Sequence, residues 1–345
     1  MRVPRLFAHA LLLACSVGGP AATAAEATPM PAEIAPRAEQ SLLTAITRAG
    51  AQRLVAVGAR GHILLSDDDG AHWRQVASPV NSLLTQVAFL DAQTGWAVGH
   101  DAAVLKTTDG GETWAIRHFD AAGEALLDVM FLDSRRGLAL GAYGTLLTSA
   151  DGGETWAAAE NVLTEEGMHL NAIARLDDGR LLIVGEAGLI ATSPDEGQTW
   201  ERGEFPYEGS LFAVRPYGER GAIVGGLRGN SFRCADVATG AWERIETGSE
   251  QSVFGIAERG DGYALAGFNA SVIGVAADGT ARELQLQALE NGEAPAGGPG
   301  LVTSMADGAA AMSIEATAFA DLLVLGSGEL ITVGDAGVRR WAVKP

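Results

Sequence analysis

A chain of 345 residues with 45 glycines and 47% hydrophobic residues is long enough to enclose a large core and reads as an all-β, glycine-rich soluble protein. Its 43 acidic residues outnumber 24 basic ones, of which only Lys106 and Lys344 are lysines, and the net charge is −19. That balance excludes nucleic acid as a partner, because phosphate binding rests on clustered Lys and Arg.

Residues 1–25 read as an export signal. Arg2 and Arg5 form a basic start, Leu6 to Val17 an apolar stretch, Gly18-Gly19-Pro20 a break, and Ala22-Thr23-Ala24-Ala25 a small-residue cleavage site. The apolar stretch is too short to anchor in a bilayer. The expected location is therefore periplasmic or otherwise exported, with a net charge of about −21 once Arg2 and Arg5 are removed. The alternative is a lipid anchor, since Leu12-Leu13-Ala14-Cys15 reads as a lipobox with Cys15 as the lipidated residue. Cleavage in the small-residue site leaves only Cys234, so no intramolecular disulfide is expected.

Residues 26–41 are Ala- and Pro-rich, a linker in composition, within which Ala32 to Ala38 is short and extended enough to be a strand. From residue 42 onward the chain repeats. The pattern Ser/Thr-x-Asp-x-Gly-x-x-Trp occurs at 66–73, 107–114, 149–156 and 193–200, and a decayed copy keeps Trp242. A spacing of about 40 to 45 residues is the size of one four-stranded propeller blade. Each residue type in this Asp-box has a turn-forming reason. Asp68, Asp109, Asp151 and Asp195 can accept hydrogen bonds from turn amides. Gly70, Gly111, Gly153 and Gly197 can take positive φ. Trp73, Trp114, Trp156 and Trp200 offer apolar bulk for the gap between blades. These positions are expected to be structural. A calcium loop fails because Asp67, Asp68 and Asp69 precede Gly70 without the bidentate Glu that an EF-hand needs.

Seven apolar segments ending in Gly mark the second strand of each blade: Leu54 to Gly58, Trp96 to Gly99, Leu138 to Gly141, Leu182 to Gly185, Ala222 to Gly225, Tyr263 to Gly267 and Leu330 to Gly334. A seven-bladed, all-β propeller over residues 42–345 follows. Small residues expected on the innermost strands, among them Ala45, Ala172, Ala213 and Gly255, suit the narrow end of each wedge. Blades 5 and 6 carry degenerate boxes, and an irregular insertion lies at about 289–317. Blade 7 has three strands between Ala320 and Val343, so Ala32 to Ala38 is expected to complete it and close the ring.

The turns between second and third strands place Arg60, His100, Asp101, Tyr143, Glu186, Arg228, Asn269 and Asp335 as candidates around one axial mouth, with Arg60, Tyr143 and Arg228 as expected partner anchors. Solvated turn residues are the commoner fate of such positions. No catalytic residue, cofactor or metal site is expected: the six His residues lack ligand spacing, and no phosphate loop or nucleophile elbow is present.

The unit Gly95-Trp96-Ala97-Val98-Gly99 followed by Val104 to Trp114 resembles the photosystem II stability/assembly factor family of exported seven-bladed propellers, a likeness strongest in blades 1 to 4. The resemblance implies a non-enzymatic assembly factor that holds a membrane-protein complex or its precursor, and the chain is expected to be monomeric. In bacteria without photosystems it implies an accessory role beside a membrane exporter. The alternative is a sialidase-like, glycan-active propeller, which also carries Asp-boxes. Such an enzyme needs an Arg cluster, a Tyr/Glu nucleophile pair and an acid/base Asp. Tyr143, Tyr207, Tyr217 and Tyr263 are the available tyrosines, and none stands in that context.

Overall fold

A computed structural model describes residues 28–289 and 317–344. The expected export signal, Cys15 and the body of the insertion lie outside the described residues. Seven four-stranded antiparallel sheets follow one another around a ring. Blades 1 to 6 each use four consecutive strands, beginning on the inner strands Leu43–Arg48, Leu84–Phe89, Leu126–Phe131, Leu170–Arg175, Leu211–Tyr217 and Val253–Arg259. The second strands, covered on both faces by neighbouring blades, are apolar and almost wholly buried, as in Leu54–Gly58, Gly137–Gly141 and Leu330–Gly334. The outermost, fourth strands, such as Ala157–Ala158 and Glu201–Arg202, are exposed. The only α-helix among the described residues, Val162–Glu166, is a short connector capped by Asn161 and ended by Gly167 at φ 64°.

The core is a set of seven apolar clusters, each between adjacent blades rather than within one. One joins blades 1 and 2 through Val55, Leu65, Leu105 and Trp114, and another joins blades 7 and 1 through Leu43, Ile46, Leu64, Ile331 and Val333. The ring is therefore closed by packing as continuous as that at any other seam.

Blade 7 is completed differently from the sequence expectation. Its inner strands are Phe319–Val324, Leu330–Gly334 and Gly337–Val343, and its outer strand is Leu286–Ala288, pairing Leu286 with Val343 and Ala288 with Trp341. Ala32 to Ala38 forms no strand. Pro36 removes a ladder donor in its middle, and the segment instead lies as a strap across the seam between blades 1 and 7. The amide of Ala32 donates to Ser78 O at 3.0 Å, that of Ala35 to Gln75 Oε1 at 2.8 Å, and Gln75 Nε2 returns a bond to Glu33 O at 2.9 Å. Ala38 is buried against the Val333 and Val338 cluster of blade 7.

The Asp-boxes behave as turn chemistry requires. In blade 3, Asp151 Oδ1 accepts from the amide of Thr155 at 3.0 Å and from Ser149 Oγ at 2.9 Å, and Oδ2 accepts from Thr155 Oγ1 at 2.6 Å. Ser149 Oγ in turn accepts from Gly153 N at 2.8 Å. Blades 1, 2 and 4 repeat the network at Asp68, Asp109 and Asp195. The hydroxyl and amide of Thr155, then the hydroxyl of Ser149, hold Asp151 down to about 2. Because this lies below the unfolded-chain value, the stabilisation is complete above the ordinary carboxylate range and is lost as pH falls through about 2. Asp151→Ala is accordingly expected to melt a few degrees below wild type at pH 7, with the gap narrowing as pH falls from about 4 toward 2. A gap that stays constant over that range in thermal melts would contradict this account of the box.

Candidate functional site

The second strands of blades 1 to 6 each end in a turn built on a left-handed residue. Arg60, Asp101, Tyr143, Ala187, Arg228 and Asn269 occupy that position with φ between 51° and 59°. The amide just after the strand's last Gly bonds back to the carbonyl preceding the same blade's inner strand. Examples are Ala59 to Leu42 O, His100 to Leu83 O, Ala142 to Ala125 O and Leu227 to Ser210 O, each at 2.9 Å. This repeated bond puts all seven turns on one face, beside the starts of the inner strands.

The eight sequence candidates thus share a face but not one structural position. Arg60, Asp101, Tyr143, Arg228 and Asn269 are equivalent. His100, Glu186 and Asp335 stand one residue earlier, where the backbone amide is tied inward: Glu186 N donates to His169 O and Asp335 N to Ala318 O. Seven of the eight are exposed, whereas Asp101 is half-buried and accepts from Ser82 Oγ. No hydrogen bond or ion pair joins candidates of different blades among the described residues, so they form a distributed face rather than a catalytic cluster.

Two local groups stand out. Between blades 3 and 4, the Tyr143 ring is 63% exposed and meets the His169 ring edge-on at 4.8 Å, and Glu186 Oε2 accepts from His169 N at 3.2 Å. Across blades 5 and 6, Phe212, Phe254 and Phe268 form a row with centroids 5.2 and 4.9 Å apart, and Phe268 and Leu227 remain exposed at its edge. Arg228 and Asn269 follow Leu227 and Phe268 directly in their turns, so a cation and an amide sit beside apolar surface. Sequence reading missed Leu227, Phe268 and the phenylalanines behind them. The available signal was positional: Phe212 and Phe254 stand at the bulge of the inner strand, where Thr44, Thr85 and Asn171 bond to the next blade's inner strand at 2.6 to 2.8 Å. The described ends of the insertion emerge here too. Leu289 N donates to Arg340 O, and Ala270 N in the blade 6 turn donates to Thr317 O at 2.7 Å.

The axis is polar but already committed. Asp128 Oδ2 accepts from Ile173 N of the next blade at 2.9 Å, and Asp321 Oδ2 accepts from Ile46 N of blade 1 at 3.1 Å. Burial pushes the Asp128 carboxyl up to about 6, opposed by the bonds from the amides of Ile173 and Val129. Burial also raises Asp321, which the Arg215 charge opposes. With their carboxylates spent on backbone amides of neighbouring blades, these residues act as ring fasteners. No group of three or more potential metal ligands occurs among the described residues, and none of their helices is long and apolar enough to cross a membrane.

Fold and turn chemistry define an Asp-box seven-bladed propeller. A family model described as "Photosynthesis system II assembly factor YCF48" matches residues 65–125 and 121–208, which cover the end of blade 1 and blades 2 to 4. Over residues 65–208 the chain is similar to this photosystem II stability/assembly factor family. Among curated proteins, the chloroplastic photosystem II stability/assembly factor HCF136 of Cyanidioschyzon merolae is 47% identical over 53 residues, 15% of this chain and 12% of that protein. The photosystem II assembly lipoprotein Ycf48 of Picosynechococcus sp. is 40% identical over 53 residues, 15% of this chain and 16% of that one. The match thus spans under a fifth of either relative. Among solved structures, YCF48 bound to D1 peptide superposes with a TM-score of 0.64 at 17% identity, covering 89% of this chain and 94% of that one. A streptogramin B lyase does so with 0.68 at 11% identity, over 89% and 95%. At such identities the likeness is one of fold, and the fold alone does not separate binder from enzyme.

Proposed function

We propose that this chain is a non-enzymatic, exported propeller scaffold that binds a membrane-protein complex or its precursor during assembly, through the face carrying the strand-two to strand-three turns. The family match over residues 65–208 carries the reading. The relative solved with a bound D1 peptide supports the kind of client, a segment of a membrane-protein precursor. The geometry suits that task. Exposed Tyr143, Arg228 and Phe268 are residue types that anchor protein interfaces, and the rigid ring holds them without the ordering cost of loops. Export, as a soluble or Cys15-anchored protein, fits the leader read in the sequence and the lipoprotein named among the relatives. In an organism without photosystems, the same scaffold serves an exporter complex.

The test is affinity purification from detergent-solubilised membranes with the tagged mature chain as bait. Stoichiometric recovery of a defined membrane complex or its precursor is expected. Recovery of soluble glycans, or of no membrane protein, would overturn the reading.

A further inference from the structure

The Asp-boxes do more than close their own turns, because each one docks on the preceding blade. The box of blade 2 lies over Leu65 of blade 1, where a Cβ on Gly111 would come within 3.1 Å of Leu65 Cδ2. Its Glu112 pairs with Arg74 at 2.6 Å and Arg53 at 2.9 Å, both on blade 1. The box of blade 3 lies over Trp96 of blade 2, and its Glu154 pairs with Lys106 at 2.6 Å and Arg117 at 3.0 Å. The box of blade 4 repeats the contact through Glu196 and Arg136 of blade 3. A box carboxylate seated on cations of the blade before it is thus a recurring joint of this ring.

At blade 6 the joint has a socket and no box. Leu286–Ala288 already fills the outer-strand place of blade 7, so Gly337–Val343 makes no hairpin into a fourth strand. Ala264 and Gly274 of blade 6 stand where Trp96 and Lys106 stand in blade 2. Leu284 and Trp341 pack in the seam. Outside them an open notch of about 170 Å³ remains, lined by Arg259, Asp261, Gly274, Thr280, Arg282 and Leu284 among others. Arg282 pairs opposite Gly274 as Arg74 pairs opposite Leu65, so it is the register equivalent of the arginine that holds Glu112. Among the described residues neither Arg282 nor Arg259 has an ion pair, and the buried Nε of Arg259 has no hydrogen-bond partner. Asp261 on the rim is the one opposing charge in the lining.

We propose that this notch is a docking socket for an acidic, box-like turn of a partner protein, with a glutamate carboxylate of the partner taken by Arg282 and Arg259. Charge complementarity selects the occupant: the equivalent arginine, Arg74, holds the neighbouring box's glutamate within this same chain. The socket opens beside the box-bearing turns, away from the face assigned to the client, so the inference stands independently of that assignment.

The probe is a synthetic peptide with the sequence of residues 104–118, which carries the blade 2 box, titrated into the intact mature chain and followed by fluorescence anisotropy. Saturable binding is expected, weakened at least tenfold by Arg282→Glu and by a peptide whose glutamate is replaced with lysine. Arg282 is exposed, so its replacement is expected to leave the melting temperature unchanged, and Arg259→Ala serves as the second variant. No saturable binding up to millimolar peptide, or binding unchanged in both variants, would overturn the proposal.

Discussion

Removing residues 28–41 is expected to lower the melting temperature by about 10 °C, the largest stability loss anticipated for any deletion outside the blades. The strap contributes no ladder, but it seals the seam where the ring closes. Its loss removes the bonds from Ala32 and Ala35 to blade 1, the bond from Gln75 to Glu33 O, and the contact of Ser41 Oγ with His62 Nδ1 at 2.8 Å. At about 0.5 to 1.5 kcal/mol net each, together with apolar surface newly exposed beside Val333 and Val338, the cost is several kcal/mol. Gly337→Val tests the same seat without shortening the chain. A Cβ at Gly337 would lie 2.0 Å from Glu39 O, and its φ of 77° disfavours a branched side chain. Both variants are expected to melt well below wild type in calorimetry. Unchanged curves would mean that residues 28–41 are a free tail.

The blades and their boxes were legible because the signals are local. Gly, Asp and Trp at fixed offsets specify a turn whatever surrounds it, and every second-strand boundary falls within one residue of that read from the sequence. Closure was not local. Leu286–Ala288 follows Ala281–Glu283 after only two residues, and three residues carry no periodicity to say that they leave blade 6 for blade 7. Pro36 within the supposed closing strand was the contrary signal. The candidate face was half legible. Counting from each strand's final Gly separates Arg60, Tyr143 and Arg228 from His100, Glu186 and Asp335, whereas alignment on polar character merges them. The phenylalanine row arises from two inner strands and one turn, and only the ring brings these together.

The second large effect concerns binding. Replacing Arg60, Tyr143, Arg228 and Phe268 together with alanine removes the protruding cations and rings of the proposed client face while touching little of the core. The three left-handed positions tolerate alanine, since Ala187 already holds φ 52° in the equivalent turn. Phe268 is 43% exposed, so its truncation costs contact with Phe254 rather than an enclosed core position. The melting temperature is therefore expected to fall by no more than a few degrees. Interface anchors of these types each contribute about 1 to 4 kcal/mol, so loss of several together carries a client below the affinity that survives washing. The direct measurement is recovery of the membrane partner from the same solubilised membranes by wild type and by the fourfold variant, each confirmed folded by its melt. The account predicts the partner with wild type and at least a tenfold lower yield with the variant. Equal yields from the two folded proteins would contradict it.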